Sequence, residues 1–215
     1  MTVPAPLASG RTADVYAVDD RRVLRRYRAS GDVRAEAEVM RHLRTLGYPV
    51  PAVHRADGSD LVMERLVGPT LVEAYVRGEV GTASAGRILA DLHARLHALP
   101  AVRSSDPGVR ILHFDLHPEN VVLTAAGPVV IDWANATEGP PELDTAMTAI
   151  ILAEVATDRS APMSVPASEL LVGYLAATGP ARLLDRAAMV RAEVGPLGAD
   201  RLAEAVALVR QLAPR

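Results

Sequence analysis

The chain has 215 residues, 49% hydrophobic and 23% charged, with a formal net charge of −3. That balance fits a soluble globular protein with a full core in one domain or two lobes, and its mild acidity argues against nucleic acid as the main partner. No apolar run approaches the ~20 residues of a membrane-spanning helix, and the N-terminus lacks a signal peptide's basic-then-apolar pattern. With no cysteine, disulfides and thiol chemistry are excluded, and a cytoplasmic location is expected. All 23 basic residues are Arg, which bears on the site below.

Residues 7–18 read as strand, tight turn, strand; after the Asp19-Asp20-Arg21 turn, alternation resumes over 23–27 as a third strand. Strand period puts Val23 and Arg25 on one face. Residues 32–47 have a helix's shape, with Asp32 as N-cap, an apolar stripe of Val33, Met40, Leu43 and Leu46, and Gly47 as stop. A strand around 53–55 leads through the Asp57-Gly58 turn into another over 61–66. Gly68-Pro69 ends it, so a boundary is expected at 66–69, dividing the chain into 1–66 and 67–215. Helices are expected at about 70–77 and 82–98, then, beginning at Pro140-Pro141-Glu142, at 141–157, 166–177, 181–193 and 199–212.

Between these helical blocks lies the most informative stretch, residues 113–132. It carries Asp115, then Asn120, two β-branched runs (121–123 and 129–131) around the turn-rich gap 124–128, and then Asp132. The two runs read as a short antiparallel pair, which would bring Asn120 near Asp132. One amide and one carboxylate so placed suit Mg²⁺ bound to substrate phosphates, a hard cation needing few protein oxygens. Asp115 sits upstream on the same loop, free to accept a proton from a hydroxyl. This is the layout of a kinase catalytic loop followed by its metal-binding Asp.

The segment His113-Phe114-Asp115-Leu116-His117-Pro118-Glu119-Asn120, with Ile131-Asp132-Trp133 after it, resembles the aminoglycoside phosphotransferase family, a small-molecule branch of the protein-kinase-like fold. The resemblance implies a two-lobed α+β fold: a small N-terminal antiparallel sheet lobe with one helix and a mainly helical C-terminal lobe. It implies an O-phosphotransferase using ATP or GTP with Mg²⁺, Asp115 as catalytic base, and Asn120 and Asp132 as metal ligands. Aligned on Val15, the kinase glycine-rich turn leaves Ala8, Gly10 and Ala13 in its three glycine places. Val15, Val23 and Met63 would then flank the base, while Glu64 and Leu66 would meet the adenine edge. Arg25 stands where the family has Lys, with Glu36 as its expected partner and Glu38 as the alternative.

Departures from protein kinases refine this. Phe114 occupies the place of the Arg that engages a phosphorylated activation segment, and Asp132 and Asp144 are too close in sequence for a long peptide-docking segment. Both point to a small hydroxylated acceptor. Glu138, Glu142 and Asp144 lie where the family often meets its substrate and are expected to attract a cationic acceptor such as an amino sugar or amino alcohol; each also suits a helix's first turn. A metal hydrolase built on His113-x-Asp115-x-His117 would need further histidines, and none follows His117. A kinase-like binding protein without turnover is the competing class, favoured by the missing lysine and opposed by the intact Asp115, Asn120 and Asp132.

Overall fold

The computed structural model describes residues 5–29, 31–195 and 198–213. The chain forms two compact units, the first Met1–Gly68 with Val122–Ala134 and the second Pro69–Val121 with Asn135–Arg215. In the first, strands β1 (Ala8–Ser9), β2 (Ala13–Ala17), β3 (Arg22–Tyr27), β4 (Val53–Asp57) and β5 (Asp60–Glu64) make one antiparallel sheet in the order β1-β2-β3-β5-β4. The period of two decides its faces: Val23 and Arg25 of β3 are both buried, and opposite them stand Met63 and Leu61 of β5.

Helix α1 (Arg34–Thr45) lays Glu36, Ala37, Met40 and Leu43 inward. Burying a side chain the size of Met40 or Leu43 contributes roughly 1.5–3 kcal/mol each. The helix begins one residue later than a cap at Asp32 requires. Val33 precedes it, and the Asp32 carboxylate accepts the Arg34 N–H at 3.0 Å instead. Gly47, at φ 78°, turns the chain out in the left-handed region, letting Tyr48 N–H reach the Leu43 carbonyl at 3.0 Å.

The hairpin of β7 (Val121–Thr124) and β8 (Gly127–Val130) clusters with this first unit, not with the residues on either side of it. Val130 N–H donates to the Pro49 carbonyl at 2.9 Å, and Trp133 is fully buried edge-on to Tyr48 with ring centroids 5.7 Å apart. Gly68 approaches the hairpin so closely that a Cβ there would lie 2.0 Å from the Leu123 carbonyl oxygen, and its φ is 149°. Only glycine fits that position.

The second unit is helical: α2 (Leu71–Val76), α3 (Thr82–His97), α4 (Pro141–Thr157), α5 (Ser164–Thr178), α6 (Leu184–Val194) and α7 (Ala199–Leu212). α2 starts in a capping box, Thr70 and Glu73 each accepting the other's backbone N–H. α4 is buried on nearly every side, as a helix apolar all round must be, and packs against α5, α6 and α7. α5 begins two residues ahead of the expected 166, because Pro166 is tolerated within a first turn. One strand pair lay outside the expected elements: β6 (Arg110–Leu112) pairs antiparallel with β9 (Thr137–Gly139). No helix among the described residues is long and apolar enough to cross a membrane.

Candidate active site

The loop after β6 is held by its backbone. Asp144, in the first turn of α4 and fully buried, accepts the N–H of His113 at 2.9 Å on Oδ2 and the N–H of Phe114 at 2.8 Å on Oδ1. Phe114 is thereby kept at φ 65°, a left-handed conformation costing a non-glycine residue on the order of 1–3 kcal/mol. His97 Nε2 donates to Asp144 Oδ2 at 3.0 Å, and His93 Nε2 lies 3.5 Å from the same oxygen. Burial alone would push the Asp144 carboxyl up, but His93 and His97 outweigh it and hold the group well below the usual carboxylate range. Burial lowers His93 in turn, only partly offset by Asp144, and its Nδ1 shares a hydrogen bond with the Tyr174 hydroxyl at 2.7 Å.

His93, His97 and Asp144 are also the one group of three candidate metal-binding side chains among the described residues. The carboxylate's bonds to loop N–H groups give the cluster a positioning role. His113 and His117 form no such group: His113 Nδ1 accepts the Asp115 N–H at 3.2 Å, and His117 Nε2 accepts from Asn120 Nδ2 at 3.1 Å.

Beyond the bend, Asn120 Nδ2 donates to the Asp115 carbonyl at 2.8 Å, tying the loop's two ends. With both amide protons engaged, Asn120 turns its Oδ1, a hard acceptor, elsewhere. The Asp115 carboxylate is 21% exposed, with Asn135 Nδ2 3.4 Å away and His117 Nε2 and Arg191 Nη1 each at 4.0 Å. Asn135 and Arg191 were not among the expected site residues. Asn135 lies just past Asp132, but Arg191, far along the chain in α6, has no spacing that reveals it.

In the first unit, Arg25 donates through Nη1 to Glu36 at 3.0 Å and through Nη2 to Asp132 at 2.5 Å. Its guanidinium also lies 4.8 Å from the Tyr27 ring centre, and the Tyr27 hydroxyl donates to the second Glu36 oxygen at 2.7 Å. Burial raises the Glu36 carboxyl, with Arg25 and Tyr27 opposing; the guanidinium is itself held charged by Asp132 and Glu36 against burial. Glu38 faces outward on α1, so Glu36 is the partner. Asp132, like Phe114, has a left-handed backbone, φ 64°, and its carboxylate remains 36% exposed.

Gly10 is exposed at the β1–β2 turn, Val15 pairs with Arg25 across β2–β3, and Val23 pairs with Met63. Glu64 uses its carboxylate on the Ala52 N–H at 3.0 Å, and Leu66 follows β5 half-buried. Of the expected acceptor-binding acids, Glu138 receives the N–H groups of Val102, Arg103 and Ser104 at 2.8, 2.8 and 3.1 Å, Glu142 is half-buried in α4, and Asp144 is the loop anchor just described.

A five-stranded antiparallel sheet with one helix, a helical unit, and a loop carrying Asp115 and Asn120 ahead of Asp132 define a phosphotransferase of the protein-kinase-like fold. The phosphotransferase enzyme family profile matches residues 4–109 and 104–190, and the chain belongs to that family. No curated protein sequence matches it significantly. Among solved structures it is similar to the streptomycin–ATP complex of APH(2″)-IIa, with TM-score 0.57 and 14% identity over 96% of this chain and 90% of that one. Aminoglycoside-3′-phosphotransferase of type VIII gives 0.54 and 19% over 98% and 92%. Amicoumacin kinase hAmiN, solved with AMP-PNP, Ca²⁺ and Ami, gives 0.55 and 15% over 97% and 87%.

Proposed function

We propose that the chain transfers the γ-phosphoryl group of ATP or GTP to a hydroxyl of a small molecule, with Asp115 as the base. The observation that carries this reading is the double tether of the Asp115 loop: Asp144 grips the N–H groups before Asp115 and Asn120 grips its carbonyl. A carboxylate so fixed costs little reorganisation when it meets a hydroxyl. Arg191 Nη1 and His117 Nε2 each lie 4.0 Å from that carboxylate and flank it on the side of the helical unit. The acceptor O–H gives its proton to Asp115 as its oxygen bonds to the γ-phosphorus, and the bond to the β-phosphate oxygen breaks to release nucleoside diphosphate.

Arg25, steadied by Glu36, supplies positive charge for the α/β-phosphates, in the role the family gives to lysine. The donors fit Mg²⁺: Asp132 keeps one oxygen beyond its bond to Arg25, and Asn120 offers Oδ1. Mg²⁺ at these oxygens would neutralise charge on the β- and γ-phosphates. A small acceptor is supported by the chain between Asp132 and Asp144, which holds only a short 3₁₀ turn, β9 and the start of α4, with no length for a peptide-docking segment. The similar structures bind nucleotide with streptomycin, or AMP-PNP with hygromycin B, which agrees with this class.

The test is release of nucleoside diphosphate across an acceptor panel with ATP and GTP. Asp115→Asn should lower turnover by about 10²–10⁴ with nucleotide binding nearly intact. Asp132→Ala should lose Mg²⁺-dependent nucleotide binding. Unchanged turnover in Asp115→Asn would remove Asp115 from the mechanism.

A further inference from the structure

The helical unit contains a cavity of about 300 Å³, near the lower end of small-molecule sites. Its walls come from α2, α3, α4 and α5 and are chiefly apolar, with Leu71, Val72, Ile151, Leu152 and Leu170 among them. His117, Pro118 and Glu119 of the catalytic loop close one side, and Arg191 another. His117 and Arg191 are the two side chains 4.0 Å from the Asp115 carboxylate, so the cavity lies beside the base.

An acceptor carrying ammonium groups needs carboxylates not already spent, and this wall has few. Glu154 is gripped by Arg191 in a two-pronged pair at 2.9 and 2.6 Å, and both are nearly buried. Glu119 is exposed. Outside the wall, Asp144 and Glu138 spend their oxygens on backbone N–H groups. The cation nearest Asp115 is the Arg191 guanidinium, and because it holds both Glu154 oxygens it leaves neither for a second cation.

We propose that the acceptor is an uncharged alcohol with a bulky apolar body, seated in this cavity with its hydroxyl toward Asp115, and not a polycationic amino sugar. This rests on the phosphotransferase reading with Asp115 as base, and it names the chemistry of that reaction's acceptor. Apolar walls supply affinity through removal of hydrocarbon from water. The Arg191–Glu154 pair excludes amines by occupying the one buried carboxylate that could receive them.

Calorimetry on the full chain tests this with two probes of one shape, 1-adamantanemethanol and 1-adamantanemethylamine (an ammonium at pH 7), and with kanamycin as polycation. The alcohol should bind at least about tenfold more tightly than either amine, since a desolvated cation without a partner is disfavoured. Val155→Glu places a carboxylate at a wall position that is 38% exposed and tolerates charge; it should weaken the alcohol and invert its order with the amine. Val72→Glu, at a half-buried wall position, is a second arm should the first variant misfold. An amine that binds as tightly as the alcohol, no binding by either adamantane, or an order unmoved in the folded variants overturns the proposal. Nucleoside diphosphate release is read separately. The expected binding order with no release from any alcohol refutes the phosphotransferase reading and upholds the cavity's selectivity.

Discussion

Replacing Arg25 by Ala should destabilise the first unit by about 3 kcal/mol. Arg25 and Glu36 are 7% and 8% exposed, and breaking one partner out of such a pair costs roughly 3–5 kcal/mol because the other charge stays buried. The lower end applies here: the Tyr27 hydroxyl still donates to Glu36, and Asp132, 36% exposed, can rehydrate. For a chain of this size each kcal/mol moves the thermal midpoint by roughly 2–4 °C, so a fall of about 6–12 °C is expected. Trp133 is the chain's single tryptophan and is fully buried in the same unit, so its fluorescence follows this unit through a urea or thermal transition. Arg25→Met with Glu36→Leu should recover most of the loss by removing both charges, and Arg25→Lys should keep nucleotide affinity where Arg25→Ala loses it. Should Arg25→Ala melt within about 1 kcal/mol of the parent, or the double variant prove no more stable than the single, the ion pair is not what holds β3 to α1.

Asp144→Asn puts an NH₂ group against N–H donors now facing a carboxylate; at about 1–3 kcal/mol per stranded buried donor, it should cost about 2–5 kcal/mol and lower kcat more than nucleotide affinity, checked by denaturation and steady-state kinetics below the melting range. His93 is depressed in the fold, so the unfolded chain binds its proton first: stability should fall as pH drops through about 6.5 and level off below the folded value, and His93→Gln should flatten that slope in pH-dependent melting. Asp144 is depressed too, so its contribution persists above about pH 4 and disappears on further acidification, seen as acid unfolding that Asp144→Asn lacks. Gly86→Ala would set a Cβ 2.7 Å from the Tyr174 backbone nitrogen and should cost about 1–3 kcal/mol by prising α3 from α5; unchanged urea denaturation would show that the helices slide apart freely.

Features set by neighbouring residues were legible in the sequence. The loop from His113 to Asn120 could be read because its tether, Asn120 to the Asp115 carbonyl, spans a fixed short interval. Strand period foretold Arg25 facing inward, and the 3.6-residue stripe placed Glu36 opposite it. The use made of each carboxylate was not legible. Glu138, Glu142 and Asp144 look alike as acids near a helix start, yet Glu138 closes the turn at 102–104 and Asp144 braces the loop that leads into Asp115. Those bonds run to backbone N–H groups, which every residue has, so no side-chain pattern announces them. The same holds for Arg191, whose partners Glu154 and Asp115 are 37 and 76 positions away along the chain.

The hairpin that joins the first unit from the middle of the chain bears on how the protein is made. The sheet and α1 are complete by Gly68, but Tyr48 has no Trp133 to pack against, and the Pro49 carbonyl has no Val130 N–H, until residue 133 has been synthesised. A ribosome adding about 5–20 residues per second leaves that patch open for several seconds. A fragment ending at the linker would carry the opening permanently. A separately expressed sheet unit therefore needs Val122–Ala134 supplied, for instance by fusing that hairpin through a short Gly/Ser bridge after Gly68.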